Sequence, residues 1–376
     1  MSVERILWEE DATGLANLVR KGEVSAVELT DAAITRAEAT RPDINATAEP
    51  LYDAARACAK TVDPSLPLAG VPFAIKDLGI AIKGVPTHGG SRIPAWLADV
   101  NSALTDRYLA AGLIPIVTST SPEHGLRLMT ESRAFGITRN PWNTGHTSGG
   151  SSGGSAALVA AGVVPVAHAS DGGGSIRVPA ACTGLVGLKT SRGRTPLTPL
   201  VSESWYGMVV DHALTRSVRD CALLLDLTHG PDPLSPYAAP RPKGTFAAAA
   251  ARDPGKLSLA VYRKSPLGLP ISDETLKALD NGGGACPRGR PHGRGDRLAL
   301  YRPRFLRRFL QDGCLRRRWH DAGRSAARRP FRCWRHRAGH ARARPLRRTG
   351  VGRRDLCRPA AAACRLTAAD RRDRAV

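Results

Sequence analysis

The chain has 376 residues, 42% of them hydrophobic, which is enough for one large α/β domain or two ordinary ones with a sizeable core. Its net charge of +22 would by itself point to a nucleic-acid or acidic-membrane partner, yet residues 281–376 hold 28 Arg, no Lys, 6 Asp and no Glu and so account for all of it. Residues 1–280 carry 27 basic and 27 acidic side chains, a neutral body whose charge gives no reason to expect either partner for the first three quarters of the chain.

The opening MSVERILWEEDATG has neither the basic nor the apolar region of a signal peptide. The longest apolar stretch, 156–169, is broken by Gly162 and Pro165 and is too short to span a bilayer. Three cysteines in the first 280 residues suit a reducing compartment, so a cytoplasmic protein is expected.

In chain order, ATGLANLVRKG predicts a short helix stopped by Gly22. Ser25 and Glu28 form a capping box for a second helix, expected to end before Arg41 and Pro42, so the first 45 residues read as a helical pair. Val71, Phe73 and Ile75 alternate as a strand that delivers Lys76 at its end. DRYLAAGLIPIVTSTS reads as a helix running into a buried strand at 114–117, AALVAAG as a short helix and VVPVAHAS as a strand. TRSVRDCALLLDLTHG is an amphipathic helix closed by Gly230, KLSLAVYR at 256–263 alternates as a strand, and a last helix begins at Ser272. Helices alternating with strands predict an α/β/α layered fold around a mixed, mostly parallel central sheet, incomplete on its C-terminal side.

Two glycine-serine turns carry the chemistry: GGSSGGSA at 149–156 and DGGGSIR at 171–177. One helix and one strand separate them, which returns both turns to the same edge of the sheet, where open α/β sheets bind ligands. Consecutive glycines let backbone N–H groups converge into a nest for negative charge, and beside Ser175 such a nest suits an oxyanion hole. A serine nucleophile needs a base. His168 lies inside a strand pattern and reads as a core histidine, and no GxSxG elbow surrounds Ser175. A lysine made neutral by burial does the same work, and Lys76 at the end of an apolar strand is the best-placed candidate. Asp171 and Arg177 bracket the turn and are expected to pair and hold it.

From about residue 5 to 280 these residues resemble the amidase signature family, serine hydrolases of carboxamides with a Ser-Ser-Lys triad. The resemblance implies Lys76 as the catalytic lysine, Ser151 as the bridging serine after a cis peptide bond, and Ser175 as the nucleophile. It further implies oxyanion donors from the backbone amides of Gly172, Gly173, Gly174 and Ser175, Ser152 as a neighbour of the triad, and no metal or organic cofactor. It leans towards stand-alone amidases, including those acting on cyclic or linear amides of amino acids such as aminohexanoate dimers. The glutaminase subunit of the tRNA-dependent amidotransferase is the alternative, but that subunit typically has Gln where this chain has Val178 and a Tyr near Arg192 that is missing here. The position before the nucleophile's glycines, commonly Thr, is Gly172, and Ser148 and Thr190 stand where proline is common.

The domain expected from this is 1–280, with a small-molecule amide as its partner, no nucleic acid, no membrane and a homodimer allowed. Residues 281–376 show neither helical nor strand periodicity, and Arg without Lys is what a GC-rich gene yields when read out of frame, so a disordered, out-of-frame segment is expected. Family members continue with further strands and helices there, so weak activity and poor solubility are expected of the chain as written. A rival reading makes this segment an arginine-rich nucleic-acid-binding arm on an inactive scaffold. Cys333, His336 and His340 lack a fourth ligand at a recognised spacing and are not read as a metal site.

Overall fold

The computed structural model describes residues 2–255, 263–265 and 268–285. They fall into two units that meet in sequence at Arg252 and Asp253. The strand expected at 256–263 lies outside the described residues but for Arg263, as do the arginine-rich residues from 286 onward and the Cys333, His336 and His340 set.

The first unit begins with three helices rather than a pair: α1 (Val3–Glu9), α2 (Ala12–Lys21) and α3 (Ala26–Ile44). Gly22 closes α2 with a φ of 72°, a backbone state that glycine adopts without steric cost. Ser25 and Glu28 form the capping box, the Glu28 N–H donating to Ser25 Oγ at 3.1 Å and the Ser25 N–H to Glu28 Oε2 at 2.8 Å. The stop expected before Arg41 is corrected, because α3 runs through Pro42 to Ile44. Proline's fixed φ matches the helical value, so the helix can continue through it, at the loss of its own N–H bond and with its ring crowding the carbonyl four residues back.

The sheet has six strands: β1 (Thr47–Pro50), β2 (Pro72–Lys76), β3 (Ile114–Ser119), β4 (Val166–Asp171), β5 (Val186–Gly187) and β6 (Val210–Thr215). Their order is β1-β3-β2-β4-β6-β5. The middle three, β3, β2 and β4, are parallel, while β1 on one side and β6 and then β5 on the other pair antiparallel. The sheet is therefore mixed, with four of its six strands running one way. Every residue of β2, β3, β4 and β6 is buried, which requires cover on both faces and explains why runs such as VPFAI and IPIV are apolar throughout. The cover comes from the helices already named and from α4 (Tyr52–Ala59), α5 (Ala103–Ala110), α6 (Gly153–Ala160), α7 (Arg177–Thr183) and α8 (Val218–Thr228). Phe73, Tyr108, Ile116, Leu158 and Val166 lie in the large core this creates, and a smaller cluster gathers Ala156, Ala169, Ile176, Ala180 and Leu214. A ninth helix, α9 (Phe246–Ala251), ends the first unit. In the second unit the helix expected from Ser272 is α10 (Asp273–Ala285), which continues past Asp280. Among the described residues no helix is long and apolar enough to cross a membrane.

One long-range clasp ties the N-terminal helices to α8. Asp220, 1% exposed, accepts from the Ala12 N–H at 2.7 Å, the Thr13 N–H at 3.0 Å and the Thr13 hydroxyl at 2.6 Å, satisfying donors that the first turn of α2 cannot pair internally. Asp220→Ala is expected to lower unfolding stability by about 2–3 kcal/mol in urea titrations, because buried N–H groups lose a charged acceptor. Asp220→Asn keeps one acceptor oxygen and loses less.

Candidate active site

β2 and β4 lie side by side and parallel, so Lys76 at the end of one comes close to Ser170 at the end of the other. After Asp171 the chain turns through Gly172, Gly173, Gly174 and Ser175 into α7, whose neighbour α6 begins just after Ser151 and Ser152. The Ser152 N–H donates to the Ser175 carbonyl at 3.3 Å, which locks the two glycine-serine turns together. Ser152 Oγ also meets the backbone of Ser170, at 3.3 Å from both its nitrogen and its carbonyl oxygen. The Gly150–Ser151 peptide is cis.

The glycines opening α6 are required by crowding. A Cβ on Gly154 would lie 2.5 Å from the backbone nitrogen and oxygen of Thr120, and one on Gly153 would lie 2.3 Å from Thr130 Oγ1. Thr130 uses that approach, accepting from the Gly153 N–H at 3.0 Å and donating to the Gly149 carbonyl at 2.9 Å, so it braces the serine turn from outside.

Lys76 is 1% exposed, with Nζ 2.8 Å from Ser151 Oγ and 2.9 Å from Ser170 Oγ. Burial pushes its pKa down to about 7, against the opposing pull of Asp211 and Asp171. An amine in this state exchanges protons near neutrality. Ser175, 5% exposed, makes no hydrogen bond through its hydroxyl among the described residues, and none links it directly to the Ser151 hydroxyl. The structure thus brings Lys76 and Ser151 into hydrogen-bond contact and leaves the hydroxyls of Ser151 and Ser175 unlinked in this state.

Asp171 organises the turn that carries Ser175. Its carboxylate accepts from the N–H groups of Gly174 at 2.8 Å, Ile176 at 3.2 Å and Arg177 at 3.4 Å, and from the Arg177 guanidinium at 2.9 and 3.0 Å. Burial alone would raise its pKa, but the bonds from Arg177, the Lys189 ammonium and the Gly174 amide outweigh that and hold the carboxyl well below the usual carboxylate range. The expected Asp171–Arg177 pair is therefore present. The Gly174 bond takes one amide out of the oxyanion donor set read from the sequence: at a φ of 130° its N–H turns back onto Asp171. Among the described residues, none accepts from the N–H groups of Gly172, Gly173 or Ser175.

His168 is fully buried within β4, packed edge-on against Tyr108, with Nε2 3.5 Å from Asp211 Oδ2. That is the core position read from the strand pattern. Sequence reasoning missed Ser170, Thr130, Asp211 and Lys189. Ser170 stands immediately before the DGGGSIR turn and Lys189 twelve residues beyond it, but nothing in their spacing marks them as partners, and Thr130 and Asp211 belong to no motif. Among the described residues no group of three or more His, Cys, Asp or Glu side chains is placed to hold a metal ion.

A family model described as Amidase matches residues 28–282. The chain is 40% identical over 285 residues to the 6-aminohexanoate-cyclic-dimer hydrolase of Paenarthrobacter ureafaciens, which covers 74% of this chain and 57% of that protein. It is 46% identical over 222 residues to the putative amidase AmiC of Mycobacterium tuberculosis (strain ATCC 25618 / H37Rv), covering 58% of this chain and 47% of that one. A solved structure of 6-aminohexanoate cyclic dimer hydrolase superposes with a TM-score of 0.69 at 39% identity, over 78% of this chain and 63% of the other. The chain spans about half the length of the curated relatives it matches.

Proposed function

Because this chain belongs to the amidase family, we propose that its site cleaves a carboxamide to a carboxylate and an amine or ammonia, with Ser175 as nucleophile, Ser151 as proton bridge and Lys76 as base. The observation that carries this reading is the buried Lys76 amine, held 2.8 Å from a serine hydroxyl on the turn locked to the Ser175 turn. When charged, the amine donates to both Ser151 and Ser170. When neutral, it keeps an N–H on Ser170 and accepts the Ser151 proton on its lone pair.

As Ser175 Oγ bonds to the amide carbon, its proton passes to Ser151 and the Ser151 proton to Lys76, leaving the charge on the substrate oxygen. The amides of Gly172, Gly173 and Ser175 are the donors available for that oxygen. Collapse breaks the carbon–nitrogen bond, with the proton returned through Ser151 to the leaving amine, and water then cleaves the ester by the same relay. For the relay to run, the Ser175 hydroxyl must rotate onto Ser151. Catalytic bonds are often long or unformed before substrate binds.

The similarity to a 6-aminohexanoate-cyclic-dimer hydrolase points to cyclic or linear amides of amino acids as the substrate class. Apolar surface is at hand for the methylene chain of such a substrate. Leu128, half exposed, lies against Gly174, and the Trp205 ring lies against Gly172.

The test pairs a covalent probe with turnover. A fluorophosphonate is expected to add once, at Ser175, by intact mass and peptide mapping, and 6-aminohexanoate cyclic dimer is expected to release a primary amine. Labelling at another residue, or none, refutes the nucleophile assignment. Labelling with no amine release from the cyclic dimer, but with turnover of 4-nitroacetanilide, keeps the chemistry and changes the substrate.

A further inference from the structure

Lys189 stands in the loop after β5, outside the triad, and its ammonium meets an unusual set of acceptors. It donates to the Asp171 carbonyl, to Asp171 Oδ1 at 3.2 Å, to the Gly172 carbonyl at 3.3 Å and to the Met208 carbonyl at 2.6 Å. Four acceptors share three N–H bonds, and three of the four are backbone carbonyls. The side chain is 25% exposed and Asp171 is fully buried.

The two carbonyls on the nucleophile turn determine where the neighbouring N–H groups point. The Asp171 carbonyl shares a peptide unit with the Gly172 N–H, and the Gly172 carbonyl with the Gly173 N–H. Neither bond is cis. In a planar trans peptide the C=O and N–H are antiparallel, so holding both carbonyls towards Lys189 turns both N–H groups to the opposite side. These are the amides that no described residue accepts from. With no Cβ at either position, the glycine backbone has nothing of its own to prevent those peptide planes from rotating. The positive charge at the carbonyl end also polarises both peptide units, making their N–H groups stronger donors. The bond to Met208 ties the same ammonium to the turn that carries Trp205, whose ring lies against Gly172.

We propose that Lys189 is a positioning residue for the oxyanion site: by gripping the carbonyls of Asp171 and Gly172 from behind, it aims and polarises the Gly172 and Gly173 amides at the developing charge. The inference rests on the amidase reading above.

The test compares Lys189→Met, which keeps the length and removes every donor, with the unaltered chain. Loss of one oxyanion donor costs about 10²–10³ in kcat, and Lys189 acts on two donors only indirectly, so a fall of roughly 30-fold or more is expected in kcat for 4-nitroacetanilide. KM should move less than about threefold, because the ground-state carbonyl demands little of these donors. The rate of fluorophosphonate labelling at Ser175 should fall in parallel, since its phosphoryl oxygen occupies the same place. A merely structural lysine would change thermal stability and leave this split unseen. If Lys189→Met does not fold, Lys189→Gln, which keeps a neutral donor, is expected to show the same direction with a smaller loss. Unchanged kcat and labelling in a folded variant would overturn the proposal while Ser175 stays reactive. An inert Ser175 in the unaltered chain would sink the amidase reading, and this inference with it.

Discussion

Replacing Ser175 with alanine is expected to cut amide hydrolysis by about 10⁴-fold or more and to abolish fluorophosphonate labelling, with the unfolding midpoint nearly unchanged. The size of the loss follows from the proposed mechanism, in which there is no ester intermediate without Oγ and the donors of the turn can only help water attack directly. The small structural effect follows from the packing, because the Ser175 hydroxyl has no hydrogen-bond partner among the described residues while its carbonyl holds Ser152. Ser152→Ala should behave differently. It removes the hydroxyl that meets the Ser170 backbone and so should cost stability, with only an indirect effect on turnover. Rates of amine release beside thermal melts for the two variants separate nucleophile from scaffold.

The second large effect is the pH dependence set by Lys76. With a pKa of about 7 the amine is half neutral near pH 7, and kcat/KM should fall roughly tenfold for each further unit of acid, so about a hundredfold at pH 5 relative to the plateau. Lys76→Met should remove activity at every pH. Its effect on stability has the opposite sign. The unfolded chain binds this proton up to a pKa near 10.5 and the folded chain only up to about 7, so between those values the unfolded state holds more protons and stability rises with pH. Below pH 7 the full penalty for burying the ammonium is paid. Lys76→Met should therefore match or exceed the parent in stability at pH 6 to 7 and show a flatter rise towards pH 10, as read by urea midpoints at several pH values. A variant that is inactive yet no less stable marks a residue kept for chemistry.

What could be read in advance was whatever the chain writes locally. The capping box at Ser25 and Glu28, the stop at Gly22 and the apolar runs leading into Lys76 and through 163–170 each express a rule that works over a few residues. The two glycine-serine turns were legible because one helix and one strand between them fix their relative position. Features that depend on neighbours distant in sequence stayed hidden. β6 pairs antiparallel with β4, but no turn signal in the chain announces a strand at 210–215. Local sterics place the end of α3 before Pro42, yet the helix runs on through it to Ile44. Gly174 looked like its neighbours in a run of three, and only the location of the Asp171 carboxylate shows that its amide is spoken for. Lys189 reads as an ordinary loop lysine until the carbonyls it gathers are seen.

The clasp around Asp220 bears on how the chain is made. Residues 216–220 hold the start of the molecule across more than two hundred positions: Arg216 donates to the carbonyls of Leu7, Trp8 and Glu10, Arg219 and Ser217 meet Asp11, and Asp220 receives Ala12 and Thr13. Contacts of such sequence separation carry a loop-closure cost that local helices do not. During translation, then, α1 and α2 emerge from the ribosome long before their anchor exists. A nascent chain arrested ahead of codon 216 should leave that N-terminal segment open to protease, and one released beyond α8 should protect it.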